Sequence, residues 1–287
     1  MKVINKQELK DLILGGITTE ELKAYDYSHI ADMGYMFEDC TSLTSIPCLN
    51  TTNVLDMSWM FGGCTSLTCI PNIDTSNVTD MSLMFSGCSS LTSIPNLDTS
   101  NAMDMSLMFS GCTSLTSIPE LDTSNVTDMS LMFKGCALLT SIPCLDASKV
   151  SNMGYMFKSC KSLVSIPYLD TSNVLDMDCM FEGCESLISV PNLDTSRVTN
   201  MNYMFGDCIS LTSIPELDYS NVLGMCAMFK RCESLGMIPE LDTSNVLDVD
   251  NMFDGCFNLE HCFYDSRINY KETNSLKLKQ NYPEFFI

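Results

Sequence analysis

Residues 73–96 read IDTSNVTDMSLMFSGCSSLTSIPN, and the same pattern returns with substitutions along most of a 287-residue chain. Its Met-Phe-x-x-Cys segment occurs ten times, with the cysteine every 24 residues: Cys40, Cys64, Cys88, Cys112, Cys136, Cys160, Cys184, Cys208, Cys232 and Cys256. A fixed period of this length marks a unit that cannot bury its own apolar side and does so by stacking on copies of itself. The chain is therefore expected to be one elongated solenoid of ten coils, and function has to be read from what varies between them.

Within 73–96 the apolar residues fall at Ile73, Val78, Met81, Met84, Phe85, Cys88, Leu91 and Ile94. The spacing, mostly three, is neither a helical stripe nor a strand alternation, and it fits a coil with inward positions around its whole perimeter. The strict period of Met and Phe assigns them to the core rather than to a soft binding surface. A proline closes nine of the ten turns, from Pro47 to Pro239, as at Pro71, Pro95 and Pro119. Proline removes a ladder hydrogen bond, so a parallel strand has to end before it. The pattern predicts a short strand at Leu91–Ile94, a weaker extended piece over Asn-Val-Thr-Asp-Met, and a single helical or 3₁₀ turn in Met-Ser-x-Met-Phe-x-Gly-Cys that Gly87 ends.

Asp-Thr-Ser recurs as a corner, at Asp74, Asp98, Asp122, Asp170, Asp194 and Asp242, where a short carboxylate accepts from backbone N–H groups just downstream. A second acidic file runs through Asp32, Asp56, Asp80, Asp104, Asp128, Asp176 and Asp248. Like charges about 5 Å apart repel by about 1 kcal/mol per pair even in water. Backbone N–H capping offsets this in one reading and calcium held between coils in the other. No Gly-rich Asp nonapeptide of the calcium-binding β-roll type is present. No cofactor is expected, with calcium bridging kept as the alternative.

In-register thiols about 4.8 Å apart with parallel Cβ vectors do not meet disulfide geometry, so the ten cysteines are expected to be free and buried. Sixteen Cys without a leader fit a reducing compartment. The formal charge of −21 opposes nucleic acid and anionic membrane, and no apolar run of transmembrane or signal-peptide length is found. As encoded, the chain reads as cytoplasmic. Asn5 with Glu8 and Thr18 with Glu21 have capping-box spacing, which predicts helices over Lys6–Leu14 and Thr19–Ala24. Three regions are expected: an N-terminal helical cap at 1–24, the solenoid at 25–263 and a C-terminal cap at 264–287.

The segments LDTSNVTDMSLMFKGC (121–136) and SLTSIP (114–119) resemble the repeats of BspA-like leucine-rich-repeat proteins over about residues 25–263. The resemblance implies an α/β repeat fold, a leucine-rich-repeat type right-handed solenoid, with a role in surface adhesion or other protein binding at a cell surface, outside the cell or on a virion. The sequence departs from that family in its missing signal peptide, lipoprotein Cys and C-terminal anchor.

Catalysis is not expected. His29 and His261 stand about 45 Å apart at a coil spacing of about 4.8 Å. No zinc spacing, phosphate-cradling loop or nucleophile elbow is present. Candidate binding residues come from columns that vary. Two residues before each Phe the column reads Tyr35, Trp59, Leu83, Leu107, Leu131, Tyr155, Cys179, Tyr203, Ala227, Asn251, of which Tyr35, Trp59, Tyr155 and Tyr203 are hot-spot types. Padding of the convex side is the other reading of that column. Just after each Pro lie Glu120, Tyr168, Glu216 and Glu240. A regular Thr file from Thr44 onward lacks the paired array of an ice-binding face. Two functions stay open: a module that binds another protein through an acidic face, homo-oligomerisation included, and a structural spacer such as a phage appendage component.

Overall fold

The computed structural model describes residues 1–239, 241–260 and 280. The expected C-terminal cap lies, apart from residue 280, outside the described residues, as do His261 and Cys262.

The N-terminus forms as its caps dictate. Strand β1 (Lys2–Val3) is followed by helix α1 (Lys6–Leu14), helix α2 (Thr19–Leu22) and strand β2 (Tyr25–Asp26). Both helices carry complete capping boxes, Asn5 with Glu8 and Thr18 with Glu21, which satisfy first-turn N–H groups that otherwise lack partners. Helix α2 stops at Leu22, two residues short of the sequence expectation, with Lys23 as its C-cap. β1 pairs in parallel with β2, Lys2 opposite Tyr25, so the terminus supplies a partial extra layer. Ile4, Leu9, Ile13 and Leu22 are buried and close the apolar end of the stack.

Each following coil contributes one apolar layer. The ten Phe from Phe37 to Phe253 are fully buried and stack in file, with ring centroids 5.5–5.8 Å apart and planes within 3–11°. Offset stacking at this spacing adds about 0.5–1.5 kcal/mol per pair beyond burial itself. The cysteine file lies beside it. Cys88 Sγ donates to the Phe61 carbonyl of the preceding coil at 3.1 Å, and every ladder cysteine from Cys64 to Cys256 repeats that bond at 3.0–3.1 Å. The described cysteines are all free thiols.

The expected strand at Leu91–Ile94 does not form. One long backbone bond, Thr92 N–H to the Thr68 carbonyl at 3.4 Å, crosses there with the Thr92 hydroxyl on the same carbonyl at 3.5 Å, too little for a ladder. The parallel bridges instead join the second acidic file, Asp32 to Asp56 to Asp80 and on to Asp248, within the segment expected to be only weakly extended.

The expected helical turn is also replaced. Between Met81 and Cys88 the backbone alternates its bonding: Met81, Leu83, Phe85 and Gly87 donate N–H to carbonyls of the next coil at 2.7–3.1 Å, whereas Met84, Ser86 and Cys88 donate three residues back. A left-handed residue at Leu83 (φ 57°) and another at Gly87 (φ 75°) stop helix propagation and turn alternate N–H groups outward along the stack. Every polar group of this segment is thereby shared between local turns and the neighbouring coil, which is how a non-repetitive backbone can be stacked without orphaned donors.

Both acidic files are consumed in turns. Asp74 Oδ1 accepts from Ser76 N–H and Oγ at 3.0 and 2.7 Å, and Asp56 Oδ1 accepts from Ser58 N–H and Oγ at 2.8 and 2.7 Å. These bonds hold the Asp74, Asp122 and Asp194 carboxyls below the usual carboxylate range. Coils are further tied by Thr75 Oγ1 to the Asp98 carbonyl (2.8 Å) and Asn77 Nδ2 to the Thr52 carbonyl (2.8 Å).

Candidate binding face

The variable column two residues before each Phe occupies one conformation throughout. From Tyr35 to Asn251 its ten residues all have φ between 52° and 61°. Left-handed backbone costs a non-glycine residue about 1–2 kcal/mol, so the stack, not the residue, holds this shape. The strain is compensated by paired bonds: Leu83 N–H reaches Ser106 O at 2.9 Å and Leu83 O accepts from Ser86 N–H at 2.9 Å. Because the backbone is fixed from outside, the side chain is free to change, and the column varies from Tyr and Trp to Leu, Cys, Ala and Asn without losing register.

At the N-terminal end Tyr35 is 54% exposed and stacks on the half-buried Trp59, centroids 6.2 Å apart and planes at 11°. Gly62 makes room for the indole, since a Cβ there would overlap the Trp59 ring. Lys6 and Lys10 of α1 lie against Tyr35, around a small cavity of about 210 Å³.

Further along, Tyr155 and Tyr203 flank a groove of about 540 Å³. Cys179 of the intervening coil is buried and forms its recess, and Asp178, Glu182, Asn202, Cys226 and Asp248 complete the lining. Lys158 Nζ lies 2.6 Å from Glu182 and 5.2 Å from the centroid of the Tyr155 ring. Burial works against the Lys158 ammonium, but Glu182 outweighs it and its pKa rises. Asp178 beside Tyr155 pushes the phenol up, burial pushes Asp176 and the Cys179 thiol up, and Asn202 Oδ1 accepts from Cys226 N–H at 2.8 Å. A protonated thiol and carboxylates in excess of the one ammonium equip the groove for polar and cation contact rather than for nucleophilic chemistry.

The eight residues singled out from sequence thus fall into separate places. Tyr155 and Tyr203 share the groove, and Tyr35 and Trp59 share a stack 96 residues earlier in the same column than the Tyr155 end. Glu120, Tyr168 and Glu216 are exposed on the column after proline and do not line the groove. Glu240 lies outside the described residues. The residues that sequence reading did not single out as site residues are Lys158, Asp178, Glu182, Asn202 and Cys226. Their signal was departure from the repeat: Asp178 stands where Ser82, Ser106 and Ser130 stand in the regular coils, and Glu182 where Ser86 and Ser110 do. Among the described residues no group of three or more His, Cys, Asp or Glu is arranged to hold a metal, and no helix is long and apolar enough to cross a membrane.

A family profile described as "Mycoplasma protein of unknown function, DUF285" matches residues 9–117, 68–166, 90–187, 115–210 and 163–266, overlapping spans that follow the repeat. No curated protein matches the chain. Among solved structures it is similar to a leucine-rich-repeat protein from Bacteroides ovatus, with 20% identity over 82% of this chain and 70% of that one and a TM-score of 0.40. It is also similar to the T. pallidum leucine-rich-repeat protein, with 21% identity, 62% and 69% coverage and a TM-score of 0.37. A leucine-rich cell surface protein from Faecalibacterium prausnitzii gives 19% identity, 76% coverage of each chain and a TM-score of 0.34.

Proposed function

Because this chain belongs to the DUF285 family, whose description assigns no activity, we propose its function from its own surface: it is a non-catalytic protein-binding module. In this reading it is a BspA-like, right-handed leucine-rich-repeat solenoid, capped by residues 1–24, that presents an elongated acidic surface to another protein. It acts without a cofactor, since the Asp files are engaged in their own turns. The observation that carries the reading is the left-handed column, where ten positions carry six residue types while their φ values stay within 52–61°. A rigid backbone with interchangeable side chains, exposed at least in part except at Cys179 and Ala227 and aromatic at four positions, is suited to recognition.

A photo-crosslinking residue placed singly at positions 59, 83 and 155, and at position 96 on the post-proline column as reference, tests it against purified basic, neutral and acidic proteins and intact cell surfaces. Saturable adducts restricted to the column support binding through this face. Absent adducts overturn it in favour of a structural spacer, and adducts equal at position 96 overturn the left-handed column as the binding face.

A further inference from the structure

The groove between Tyr155 and Tyr203 arises from a change in the repeat. Coils three to five fill the left-handed column with Leu83, Leu107 and Leu131, whereas coil seven has the smaller Cys179 between two tyrosines. The two tyrosines are two coils apart, roughly 11–12 Å if their rings follow the 5.5–6.2 Å per coil of the stacked rings. A cation midway is then about 6 Å from each, at the limit of the roughly 6 Å range of cation–π attraction.

The chain itself places a cation in this environment. Lys158 lies over Tyr155 and against Glu182, and that ion pair, with side chains 27% and 20% exposed, is the most enclosed of those among the described residues. The balance is still negative: Asp178, Glu182 and Asp248 line the groove against the single ammonium of Lys158. Charge complementarity and aromatic walls therefore specify the same occupant.

We infer that this groove anchors an arginine side chain presented by a partner protein. The guanidinium is planar and weakly hydrated, stacks on aromatic faces and pairs with carboxylates through a fork of donors, which a compact ammonium does not. The inference rests on the protein-binding reading and names the residue type recognised at one place on the column.

The test uses the full chain and an acetylated tri-arginine amide, followed by calorimetry and by the tyrosine ring signals in NMR, with tri-lysine and tri-glutamate peptides alongside. Each substitution is borrowed from another coil so that the fold is preserved: Tyr203→Leu as at Leu83, Asp178→Ser as at Ser82, and Asp98→Asn, as at Asn50, for a charge change outside the groove. Cation–π and charge contacts of this kind predict that Tyr203→Leu with Asp178→Ser weakens tri-arginine binding roughly tenfold. Asp98→Asn should alter it less than about twofold, in keeping with an exposed, screened charge. No tri-arginine binding, equal loss from Asp98→Asn, or equal affinity for tri-lysine overturns the inference. Column-specific crosslinks at positions 59 and 83 would then still support the broader binding reading, so the two failures are distinguishable.

Discussion

The thiol of Cys112 donates to the carbonyl of Phe85 in the preceding coil, 3.1 Å away, and the same carbonyl accepts the N–H of Cys88 at 3.0 Å. One acceptor thus joins two coils, and the cysteine acts as a small buried donor. Cys112→Ala removes the donor and opens a void, with an expected loss of about 1–3 kcal/mol. Cys112→Ser keeps a hydroxyl in reach of Phe85 and should cost less. Urea unfolding with unchanged slope checks the ranking; a serine variant less stable than the alanine variant would assign the thiol to space filling alone.

Stability should be bounded at both ends of the pH scale, with opposite signs. Burial pushes the thiols of Cys64, Cys112, Cys160 and Cys256 up to about 12. A raised folded pKa gives stability that is complete below the unfolded value, about 8.5, and lost as pH climbs toward about 12. For Asp74, Asp122 and Asp194 the folded pKa is depressed by hydrogen bonds from Ser76, Ser124 and Ser196. Their contribution is present above about 3.9 and lost as pH falls below it. Urea midpoints across pH 3 to 11 should show a plateau with two declining shoulders. A midpoint unchanged from pH 8 to 11 would contradict the buried thiol file.

Ser159 holds φ 62° in the file where Gly111, Gly135 and Gly183 hold 73–74°. Ser159→Gly should stabilise by up to about 1 kcal/mol, and Gly111→Ala should destabilise by about as much. Thermal midpoints of the two variants moving in opposite directions would confirm the left-handed file; shifts in the same direction would refute it.

Tyr219 stands where Thr75, Thr99 and Thr195 send a hydroxyl to the next coil. It is 4% exposed and its hydroxyl is buried without a partner among the described residues. A buried orphan of this kind costs about 1–3 kcal/mol, so Tyr219→Phe is expected to raise the melting temperature. Tyr219→Thr, by leaving a cavity, should lower it. A phenylalanine variant less stable than the parent would show that the hydroxyl is satisfied in solution.

Chelation supplies the remaining check. With Asp56 Oδ1 and Asp80 Oδ1 each holding Ser N–H and Oγ groups, removal of calcium by a chelator should leave the melting temperature unchanged. A stoichiometric, stabilising calcium uptake would establish the bridging alternative.

The period of 24, the burial of Met, Phe and Cys, the two capping boxes and the Asp turns were all legible in the sequence, because each rests on a side chain whose local chemistry allows few outcomes. Gly87 marks in the sequence only the end of a helical turn, whereas in the structure it and its counterparts Gly63 and Gly111 hold a left-handed position. The second such position carried no signal, since Tyr35, Trp59 and Leu83 are residues that do not favour it on their own.

What the sequence by itself determined was that identical units must stack and which side chains face inward, a consequence of apolar spacing and repetition. The tertiary structure decided where the coil-to-coil hydrogen bonds run. It moved the parallel bridges from Leu91–Ile94 to the Asp file and turned the expected helical turn into alternating bonds, because backbone groups choose partners only once the neighbouring coil is in place. It also joined Tyr155, Asp178 and Tyr203 in one groove. Residues 24 apart become neighbours through the stack, and no single coil contains that proximity.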